Sequence, residues 1–400
     1  MITRSELSSS YAFRATSITK RAFIIMIPLS LYIHFPWCIQ KCPYCDFNSH
    51  KNNEALYEPY MQTLIDDVTE ILPYIWGRKI HSIFIGGGTP SLMPPKLLDQ
   101  FFSQLRTLLN FNPNIEITME ANPGTVDSQY FKAYREIGIN RLSIGVQSLN
   151  DVQLEKIGRI HSSSEALRAF DIARNAGFEN INCDLMFGLP LQNLEGALSD
   201  LEGIIALGPE HISHYQLTLE PNTYFHRYEP ELPADEVIEA MQLESHAILK
   251  ANGYGHYEVS AFAKTGKESQ HNRNYWEFGD YIGIGAGAHG KITMMNNQEI
   301  LRTQMEKHPR TYVEKTASMR MTKEAIVPAD LPFEFFLNTL RLKSGVPTTH
   351  WSERTFLPLS NIAGFLQANQ EKGLLLPSTE WITPTEKGHL FVNTMLEEFL

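Results

Sequence analysis

The sequence predicts an α/β fold in which six parallel strands and the helices between them form an incomplete, TIM-like (β/α)6 barrel. From residue 31 onward, short apolar or β-branched runs alternate with longer helical patterns. The helical patterns carry capping signals, and polar or glycine-rich residues follow the strands. Consecutive strands joined by helices pair in parallel through right-handed crossovers, which favours a barrel. A doubly wound open sheet is the alternative.

The six predicted strands share short β-branched or apolar stretches and lie at residues 31–34, 82–85, 115–120, 141–146, 180–186 and 211–217. The predicted helices between them lie at about 54–72, 96–109, 127–137, 163–176 and 193–206. Ser162 and Glu165 form a capping-box pattern at the start of one helix, and Gly177 follows its end. Gly138 likewise follows the helix that begins near Asp127. These signals place the helix boundaries independently of the apolar pattern.

The chain divides into four predicted parts. Residues 1–25 contain four basic residues against one acid, and we expect a disordered extension or a start codon placed upstream of a functional Met26. A transit or signal peptide is a weaker interpretation of the same composition. Residues 26–260 form the predicted barrel core, residues 261–304 a connecting segment, and residues 305–400 a C-terminal unit.

The C-terminal unit has the element order of a winged-helix-like domain. We predict a helix over residues 332–343, a second near 360–371, a hairpin-like segment at 373–383 and a final helix through Phe399. Residues 331–400 carry five Lys and Arg against seven acids. Since binding to phosphates requires a basic patch, we expect no nucleic-acid partner.

The composition excludes several other classes of protein. The chain of 400 residues has 34 Lys and Arg against 45 Asp and Glu, a net charge of −11, which disfavours a general nucleic-acid or anionic-membrane surface. No apolar run reaches the ~18 residues of a spanning helix, so we expect no integral membrane protein. Four cysteines are typical of a reducing compartment, which predicts a cytoplasmic location. One of them, Cys183, lies in an apolar run and is predicted to be a buried hydrophobe.

The other three cysteines, Cys38, Cys42 and Cys45, have a C-x3-C-x2-C spacing within one short loop. Three thiolates at this spacing can hold three irons of one [4Fe–4S] cluster and leave the fourth iron without a protein ligand. A zinc site completed by His34 or His50 is the main alternative, but zinc sites commonly use two paired groups and no second pair is present. A disulfide or a set of buried thiols would fit the spacing less well.

Further polar and glycine residues follow the later strands. The glycines of residues 86–90 follow the second strand, Glu120 ends the third, Gln147 ends the fourth, and Asp184 lies late in the fifth. Because α/β barrels carry their sites at the carboxyl ends of the strands, we expect these residues to share one face with the cysteine loop. Taken singly, each has an ordinary interpretation: a tight turn, a strand-end acid or, for Arg159, a surface cation.

Together, the cysteine loop, the Gly-Gly-Gly-Thr-Pro run and the strand-end acid resemble the radical S-adenosylmethionine (SAM) superfamily. Residues 32–47, 145–148 and 184–190 are similar to its oxygen-independent coproporphyrinogen III dehydrogenase branch, and the similarity extends over most of the chain from about Pro28. The resemblance implies a [4Fe–4S] cluster whose open iron binds SAM. It also implies that electron transfer from the cluster cleaves SAM to a 5′-deoxyadenosyl radical.

The resemblance also implies roles for particular residues. Contacts with the SAM on the cluster match Tyr32, Tyr44, Gly87 and Glu120. Contacts with a second SAM match Gly88, Thr89, Gln147, Arg159 and Asp184. The second set is important for the porphyrinogen reaction, so whether a second SAM binds depends on which branch this chain follows.

Two features separate the branches. The dehydrogenases have a fourth cysteine two residues after the third, where this chain has Phe47. Residues 271–276 match the H-N-x-x-Y-W motif of the haem chaperones of the same branch. Both features imply a chaperone that binds haem and delivers it to haem-dependent proteins such as respiratory cytochromes, some of them membrane-associated. A coproporphyrinogen III dehydrogenase is the alternative function.

The motif offers His271 as a haem ligand, because an imidazole can bind haem iron axially, and Tyr275 and Trp276 could pack on the macrocycle. The ordinary alternative is a buried histidine beside two core aromatics. The resemblance implies SAM binding and cleavage without dehydrogenase activity. It leaves both a monomer and a homodimer open.

We predict that Cys42→Ser abolishes the visible absorbance of the reconstituted cluster, because serine removes one of three thiolate ligands. The matched control is Cys183→Ala, which removes the cysteine outside the loop and is expected to leave that absorbance unchanged. A full cluster in Cys42→Ser, measured by iron content and absorbance, would contradict the ligand assignment.

Overall fold

The computed structural model describes residues 27–400, so the predictions for residues 1–25 and Met26 lie outside the described residues. In this part of the chain, twelve strands form one large sheet. They are β1 Leu29–Phe35, β2 Lys79–Gly87, β3 Asn110–Ala121, β4 Arg141–Gln147, β5 Ile181–Phe187, β6 His211–Gln216, β7 Gly255–Glu258, β8 Ala261–Ala263, β9 Asp280–Ile284, β10 His289–Met294, β11 Glu299–Met305 and β12 Met321–Ala325.

The sheet order is β12-β11-β10-β9-β1-β2-β3-β4-β5-β6-β8-β7. Strands β9 and β1 to β6 are parallel, and the strands at both ends are antiparallel. The helices are α1 Tyr57–Ile75, α2 Pro95–Leu108, α3 Ser128–Ile137, α4 Asp151–Lys156, α5 Ser163–Asn175, α6 Leu194–Leu207, α7 Tyr224–Arg227, α8 Asp235–Ala251, α9 Gln270–Trp276, α10 Pro309–Glu314, α11 Ala317–Arg320, α12 Leu331–Thr339, α13 Thr349–Thr355, α14 Ser360–Glu371, α15 Glu386–Leu390 and α16 Val392–Leu396. None of these helices has the length and apolar character needed to cross a membrane.

The predicted barrel is confirmed: β1 to β6 and the helices α1, α2, α3, α5 and α6 lie within a few residues of their predicted positions. The capping box is present, since the Ser162 side chain accepts from the Glu165 N–H and the Glu165 carboxylate accepts from the Ser162 N–H. Gly138 ends α3 in a left-handed conformation. Local signals were sufficient to place helices such as α3 and α5, because their own capping groups mark where they begin.

The sheet extends beyond the predicted core, which corrects two of the boundaries. A seventh parallel strand, β9, lies beside β1 although its sequence falls in the predicted connecting segment 261–304. Strands β10 to β12 follow it, so the sheet continues past residue 305 as far as Ala325. The boundary at residue 260 falls within the β7–β8 hairpin. These pairings join distant parts of the chain. Gly283 also weakens the strand pattern of β9, and glycine is required there because a Cβ would overlap the carbonyl group of His289.

The C-terminal unit contains α12 to α16 and packs around its own buried aromatic residues, including Phe336, Trp351 and Phe365. Helices α12 and α14 were predicted, whereas α13 was not. In the segment predicted as a hairpin, Leu375 and Pro384 form an isolated antiparallel β-bridge. The short strand Trp381–Ile382 of this segment pairs with a second short strand at Val346–Pro347. The predicted final helix is divided into α15 and α16.

Strand alternation positions the site. In β1, Leu29, Leu31 and Ile33 belong to the apolar core, whereas the intervening Ser30 and Tyr32 face other polar side chains. Successive strand residues point to opposite faces of a sheet, so one set of residues packs under the helices and the other lines the barrel interior. The barrel interior is therefore polar.

Asp280 at the start of β9 is the centre of a buried ion-pair network. Its carboxylate lies 2.8 Å from the Arg78 guanidinium and 3.0 Å from the Lys291 ammonium, and it accepts from the backbone and hydroxyl of Thr293 at 2.9 and 2.8 Å. Lys291 is only 2% exposed. Asp280 thus links β9 with β10 and with the segment before β2.

We predict that Asp280→Ala lowers the free energy of unfolding by about 3–5 kcal/mol, because it leaves the Lys291 ammonium buried and unpaired. Urea unfolding measures this loss. The matched control is Glu70→Ala, which removes the partly exposed partner of Lys323 and should cost no more than ~1 kcal/mol. Equal losses in the two variants would contradict the role of Asp280.

Candidate functional site

A cavity of about 450 Å³ opens at the carboxyl ends of the barrel strands and extends into the barrel. All but two of the residues predicted for the cluster and for SAM or haem line it: Cys38, Cys42, Tyr44, Cys45, Gly87, Gly88, Thr89, Glu120, Gln147, Arg159 and Asp184. Residues from the cysteine loop, from four different strands or strand ends and from the segment after α4 thus meet in one place. Tyr32 and His271 are the two exceptions.

Contacts on three sides hold the cysteine loop. Its start, Trp37–Cys38, pairs with His50–Lys51 as a short parallel ladder. The Asn48 amide donates to the carbonyls of Ala286 and Lys307 at 2.9 and 2.8 Å, which ties the loop to the segments around β10. On the opposite side, the Phe225 N–H donates to the carbonyl of Pro43 at 3.0 Å. The loop is therefore fixed in position by parts of the chain distant in sequence.

The donor set of this loop fits an iron–sulfur cluster. Cys38, Cys42 and Cys45 are half-buried free thiols. Burial raises the pKa of the Cys38 and Cys45 thiols, so binding of iron, which requires thiolates, must release protons. The Arg159 guanidinium lies 3.6 Å from the Cys42 sulfur.

The zinc alternative is disfavoured. Among residues 27–400, no group of three or more His, Cys, Asp or Glu side chains is arranged to hold a single metal ion. Both ring nitrogens of His34 are already engaged, one with the Tyr32 hydroxyl at 2.9 Å and one with the Asn48 carbonyl at 2.8 Å. A cluster is larger than one ion, so its thiolate ligands need not converge on a single point.

The glycine run after β2 allows the cysteine strand to approach closely. Gly87 has a φ of +113°, and a Cβ on it would overlap the ring of His34; a Cβ on Gly88 would overlap the backbone of Trp37. The N–H of Gly88 donates to the Phe35 carbonyl at 2.7 Å, and that of Thr89 donates to the Trp37 carbonyl at 2.8 Å. Because Gly87 and Gly88 have no side chains, the backbone after β2 can bond to the start of the cysteine loop and fix its position, and the cavity stays open.

Two carboxyl groups that line the cavity, those of Glu120 and Asp184, lie in surroundings that disfavour their ionised forms. Burial and, after it, the nearby charge of Asp184 raise the pKa of Glu120 to about 8, and the Gly87 N–H, which donates at 3.0 Å, acts in the opposite direction. Burial also raises the pKa of Asp184, opposed first by the Asn182 amide, which donates at 2.7 Å. A cationic ligand would relieve both costs, because it would stabilise the carboxylate forms.

Gln147 occupies a strained position at the end of β4. Its φ is +69°, in the left-handed region that non-glycine residues rarely adopt, and the strand register shifts between Gly145 and Gln147. The Tyr215 hydroxyl donates to its side-chain carbonyl at 2.8 Å, and Arg159 donates to the Gly145 carbonyl at 2.7 Å. The bulge directs the Gln147 side chain into the cavity.

Tyr32 lies behind the cavity wall, which corrects the expected direct contact. Its hydroxyl is bonded to His34, and its ring stacks on Phe84, which does line the cavity, with the ring centres 6.4 Å apart. In this structure Tyr32 supports the wall from behind. The sequence could not separate the two roles, because a motif gives the position of a residue but not its depth.

His271 is also placed differently from the expectation. It is 1% exposed, and its two ring nitrogens are bonded to the Ser82 hydroxyl at 3.0 Å and the Tyr275 hydroxyl at 2.8 Å. Burial, and then the charge of Arg141, lower its pKa to about 3, so it is neutral. The structure thus presents His271 as a satisfied core histidine of α9, the alternative interpretation of the motif.

Several cavity residues were not predicted from the sequence. They are interior polar side chains of β4 to β6, together with one residue of α9: Arg141, Ser143, Asn182, His211, Ser213, Tyr215 and Asn272. A signal for most of them exists, since polar residues alternate with apolar ones along these strands. The rule that barrel sites lie at the carboxyl ends of strands does not predict residues at the strand starts, such as Arg141 and His211.

Comparison with protein families agrees with this site. The model of the radical SAM superfamily matches residues 32–204, and the model of the HemN C-terminal domain matches residues 326–391. The solved structure of coproporphyrinogen III oxidase (HemN) from Escherichia coli superposes with a TM-score of 0.78 at 22% identity, covering 93% of this chain and 90% of that one. Fold and site together define a radical SAM protein.

Full-length relatives place it more narrowly. Heme chaperone HemW of Escherichia coli (strain K12) is 46% identical over 93% of this chain and 98% of its own length. Heme chaperone HemW of Bacillus subtilis (strain 168) is 34% identical over 93% and 99%. A mitochondrial radical S-adenosyl methionine domain-containing protein 1 of Bos taurus is 31% identical over 93% and 87%. The chain belongs to the HemW family of radical SAM proteins.

We predict that Glu120→Gln stabilises the cofactor-free protein at alkaline pH. The folded-state pKa of Glu120, about 8, lies above its unfolded value, so its contribution to stability is present below the unfolded pKa and is lost as pH rises towards 8. Glutamine does not ionise, so the advantage of the variant should grow by roughly 2–4 kcal/mol between pH 5 and pH 9. Denaturant unfolding at both pH values measures it.

Glu165→Gln is the matched control, because Glu165 is an exposed capping residue whose hydrogen bonds to Ser162 lower its pKa. Its effect on stability should be the same at pH 6 and pH 9. Glu120→Gln should also weaken SAM binding. Parallel stability curves for Glu120→Gln and the wild type would contradict the assigned pKa.

Proposed function

We propose that this protein is a haem chaperone with a radical SAM core, which binds haem and delivers it to haem-dependent proteins such as respiratory cytochromes. The observation that carries this proposal is the 46% identity across 98% of the Escherichia coli heme chaperone HemW. A likeness of that extent includes the barrel, the connecting strands and the C-terminal unit. The HemN structure, at 22% identity, supports the fold alone.

The residue at position 47 supports the chaperone over the dehydrogenase. Phe47 lines the rim of the cavity and is 56% exposed, while its carbonyl accepts from the Lys41 ammonium at 2.9 Å. An exposed aromatic ring on a fixed loop offers an apolar surface at the cavity mouth. The dehydrogenases resembled by this chain have a cysteine there, and the remaining cysteine, Cys183, is buried in the barrel core and cannot replace it.

We propose that Cys38, Cys42 and Cys45 hold a [4Fe–4S] cluster and that the cavity binds SAM. When bound, the cluster and SAM together supply one-electron chemistry. Around them, the Glu120 and Asp184 carboxyl groups would give up their protons to accept the cationic groups of SAM. A second SAM would meet Gln147, Arg159 and Asp184 among others, and its presence is part of the proposal.

The position of His271 changes the haem part of the proposal. Its hydrogen bond to Ser82 fixes α9 against β2, and its second bond, to Tyr275, lies within α9. A haem iron could reach the ring only after one of these bonds and the surrounding packing were broken. We therefore propose that His271 positions α9 and that haem uses another ligand. We also propose a cytoplasmic location, which the free thiols support, together with haem-accepting client proteins and a homodimer.

We predict that the reconstituted protein binds haem stoichiometrically but releases no CO2 from coproporphyrinogen III in the presence of SAM and a reductant. His271→Ala should retain haem affinity within about twofold while losing thermal stability, because it leaves the Tyr275 hydroxyl without its partner and removes one of the two partners of the buried Ser82 hydroxyl. Haem titration and calorimetry measure the two effects.

Three outcomes would change these conclusions. CO2 release that depends on the porphyrinogen would establish the dehydrogenase instead. Failure to bind haem, with the cluster intact, would remove the chaperone proposal. Loss of the haem spectrum in a stably folded His271→Ala variant would place His271 on the iron. An exposed histidine variant, His226→Ala, serves as a control for nonspecific haem binding by imidazole.

A further inference from the structure

The inner end of the cavity contains a buried cation without a partner. Arg141, the first residue of β4, is 2% exposed and lines the cavity. Among the described residues no carboxylate oxygen lies within 4.0 Å of its guanidinium, and its Nε atom has no hydrogen-bond partner. Burying an unpaired charge is costly unless a ligand or a paired group offsets the cost.

The acids that share this part of the barrel are committed elsewhere. Asp184 accepts from the Asn182 amide at 2.7 Å and from the Ser143 hydroxyl at 3.3 Å. Glu116 accepts from the backbone N–H groups of Gln270 and His271, both at 3.2 Å. Neither carboxylate forms a direct pair with the arginine, although the charge of Arg141 acts on Asp184 and opposes the rise in its pKa.

The neighbouring polar groups are neutral and can donate hydrogen bonds to an anion. Thr118 lies beside Arg141 in the β3–β4 register, and its buried hydroxyl has no partner. Asn272 of α9 lines the same end of the cavity. His211 is neutral, because burial and then the charge of Arg141 lower its pKa, and both its nitrogens are bonded, to Asn182 at 2.6 Å and to Tyr257 at 2.8 Å. The inner end therefore combines a positive charge with neutral groups that can donate hydrogen bonds to an anion.

Depth separates this end from the cluster. Strand residues rise ~3.3 Å each, so Thr118 and Arg141 lie roughly 7 Å further into the barrel than Glu120. From Gln147 to Arg141 the same rise gives roughly 15–20 Å, allowing for the bulge. The carboxylate of the SAM that binds the cluster would lie at the cysteine loop, so it is not the group that Arg141 would meet.

We propose that Arg141, with Asn272 beside it, forms a carboxylate-binding floor of the cavity for a ligand that extends into the barrel from the cluster side. Guanidinium binds carboxylate through two parallel N–H···O bonds, and charge-assisted bonds in a buried site are strong. Two ligands carry such a carboxylate: a second SAM, through its amino-acid group, and haem, through a propionate. The haem source rests on the proposed function, whereas the SAM source does not.

The test compares ligands that differ only at the carboxylate, on full-length protein with its cluster reconstituted. SAM is compared with decarboxylated SAM, and haem with its dimethyl ester, in the wild type and in Arg141→Met. The wild type should prefer the carboxylate form, and Arg141→Met should reduce that preference by roughly 10- to 100-fold, the usual effect of a hydrogen bond to a charged group. Arg141→Lys should retain part of the preference.

Each arm identifies a source. A reduced preference for SAM alone assigns the floor to an amino-acid carboxylate, and a reduced preference for haem alone assigns it to a propionate. Unchanged preferences in both pairs would overturn the proposal and leave Arg141 as a structural charge. If haem fails to bind the wild type at all while the SAM preference shifts, the proposed function fails and the floor stands.

Two further measurements guard against a loss of fold. Because Arg141→Met removes an unpaired buried charge, its Tm should not fall below that of the wild type. Arg135→Met, which removes an exposed arginine bonded to the Gly177 carbonyl, should change neither ligand preference. Should Arg141→Met fail to fold, the wild type alone still tests the proposal. Equal affinities for SAM and decarboxylated SAM, and for haem and its dimethyl ester, would overturn it.

Discussion

The close approach of β1 and β2 at their carboxyl ends is the constraint on which the rest of the site depends. With no side chain on Gly87 or Gly88, the backbone that follows β2 packs against the ring of His34 and the backbone of Trp37. The hydrogen bonds made across this contact fix the start of the cysteine loop. A loop that is already held in one conformation loses less conformational entropy when its three thiols bind a cluster than a flexible loop would.

The barrel interior carries charge where stability alone would favour apolar residues. Glu120, Asp184, Arg141 and Arg159 all face the cavity, and burial makes ionisation of both acids costly. Such groups are tolerated when a ligand of opposite charge offsets the cost, and they are then already oriented for it. The fold is thus less stable without its ligands than an apolar barrel would be, and the same groups give the cavity its affinity for a charged cofactor.

Helix α9 joins the two halves of the molecule. His271 anchors it to β2 through the Ser82 hydroxyl and is bonded to Tyr275 one turn further along the same helix. The guanidinium of Arg341, which follows α12, lies 4.3 Å from the ring centre of Trp276. Asn272 from the same helix reaches the inner end of the cavity. The H-N-x-x-Y-W motif therefore contacts both the cavity and the C-terminal unit. These contacts give the residues of the motif a structural role that does not require direct contact with haem.

The sequence by itself determined the barrel strands, their helices and the cysteine loop, because alternation, capping pairs such as Ser162 with Glu165, and cysteine spacing are all local patterns. It also predicted that Glu120, Gln147 and Asp184 share a face, since parallel strands end on the same side. Only the tertiary structure decided that β9 pairs with β1, that His271 is fully bonded, and that Arg141 is buried without a partner. Those facts depend on contacts between segments far apart in the chain, and no local pattern specifies which distant surfaces will pack together.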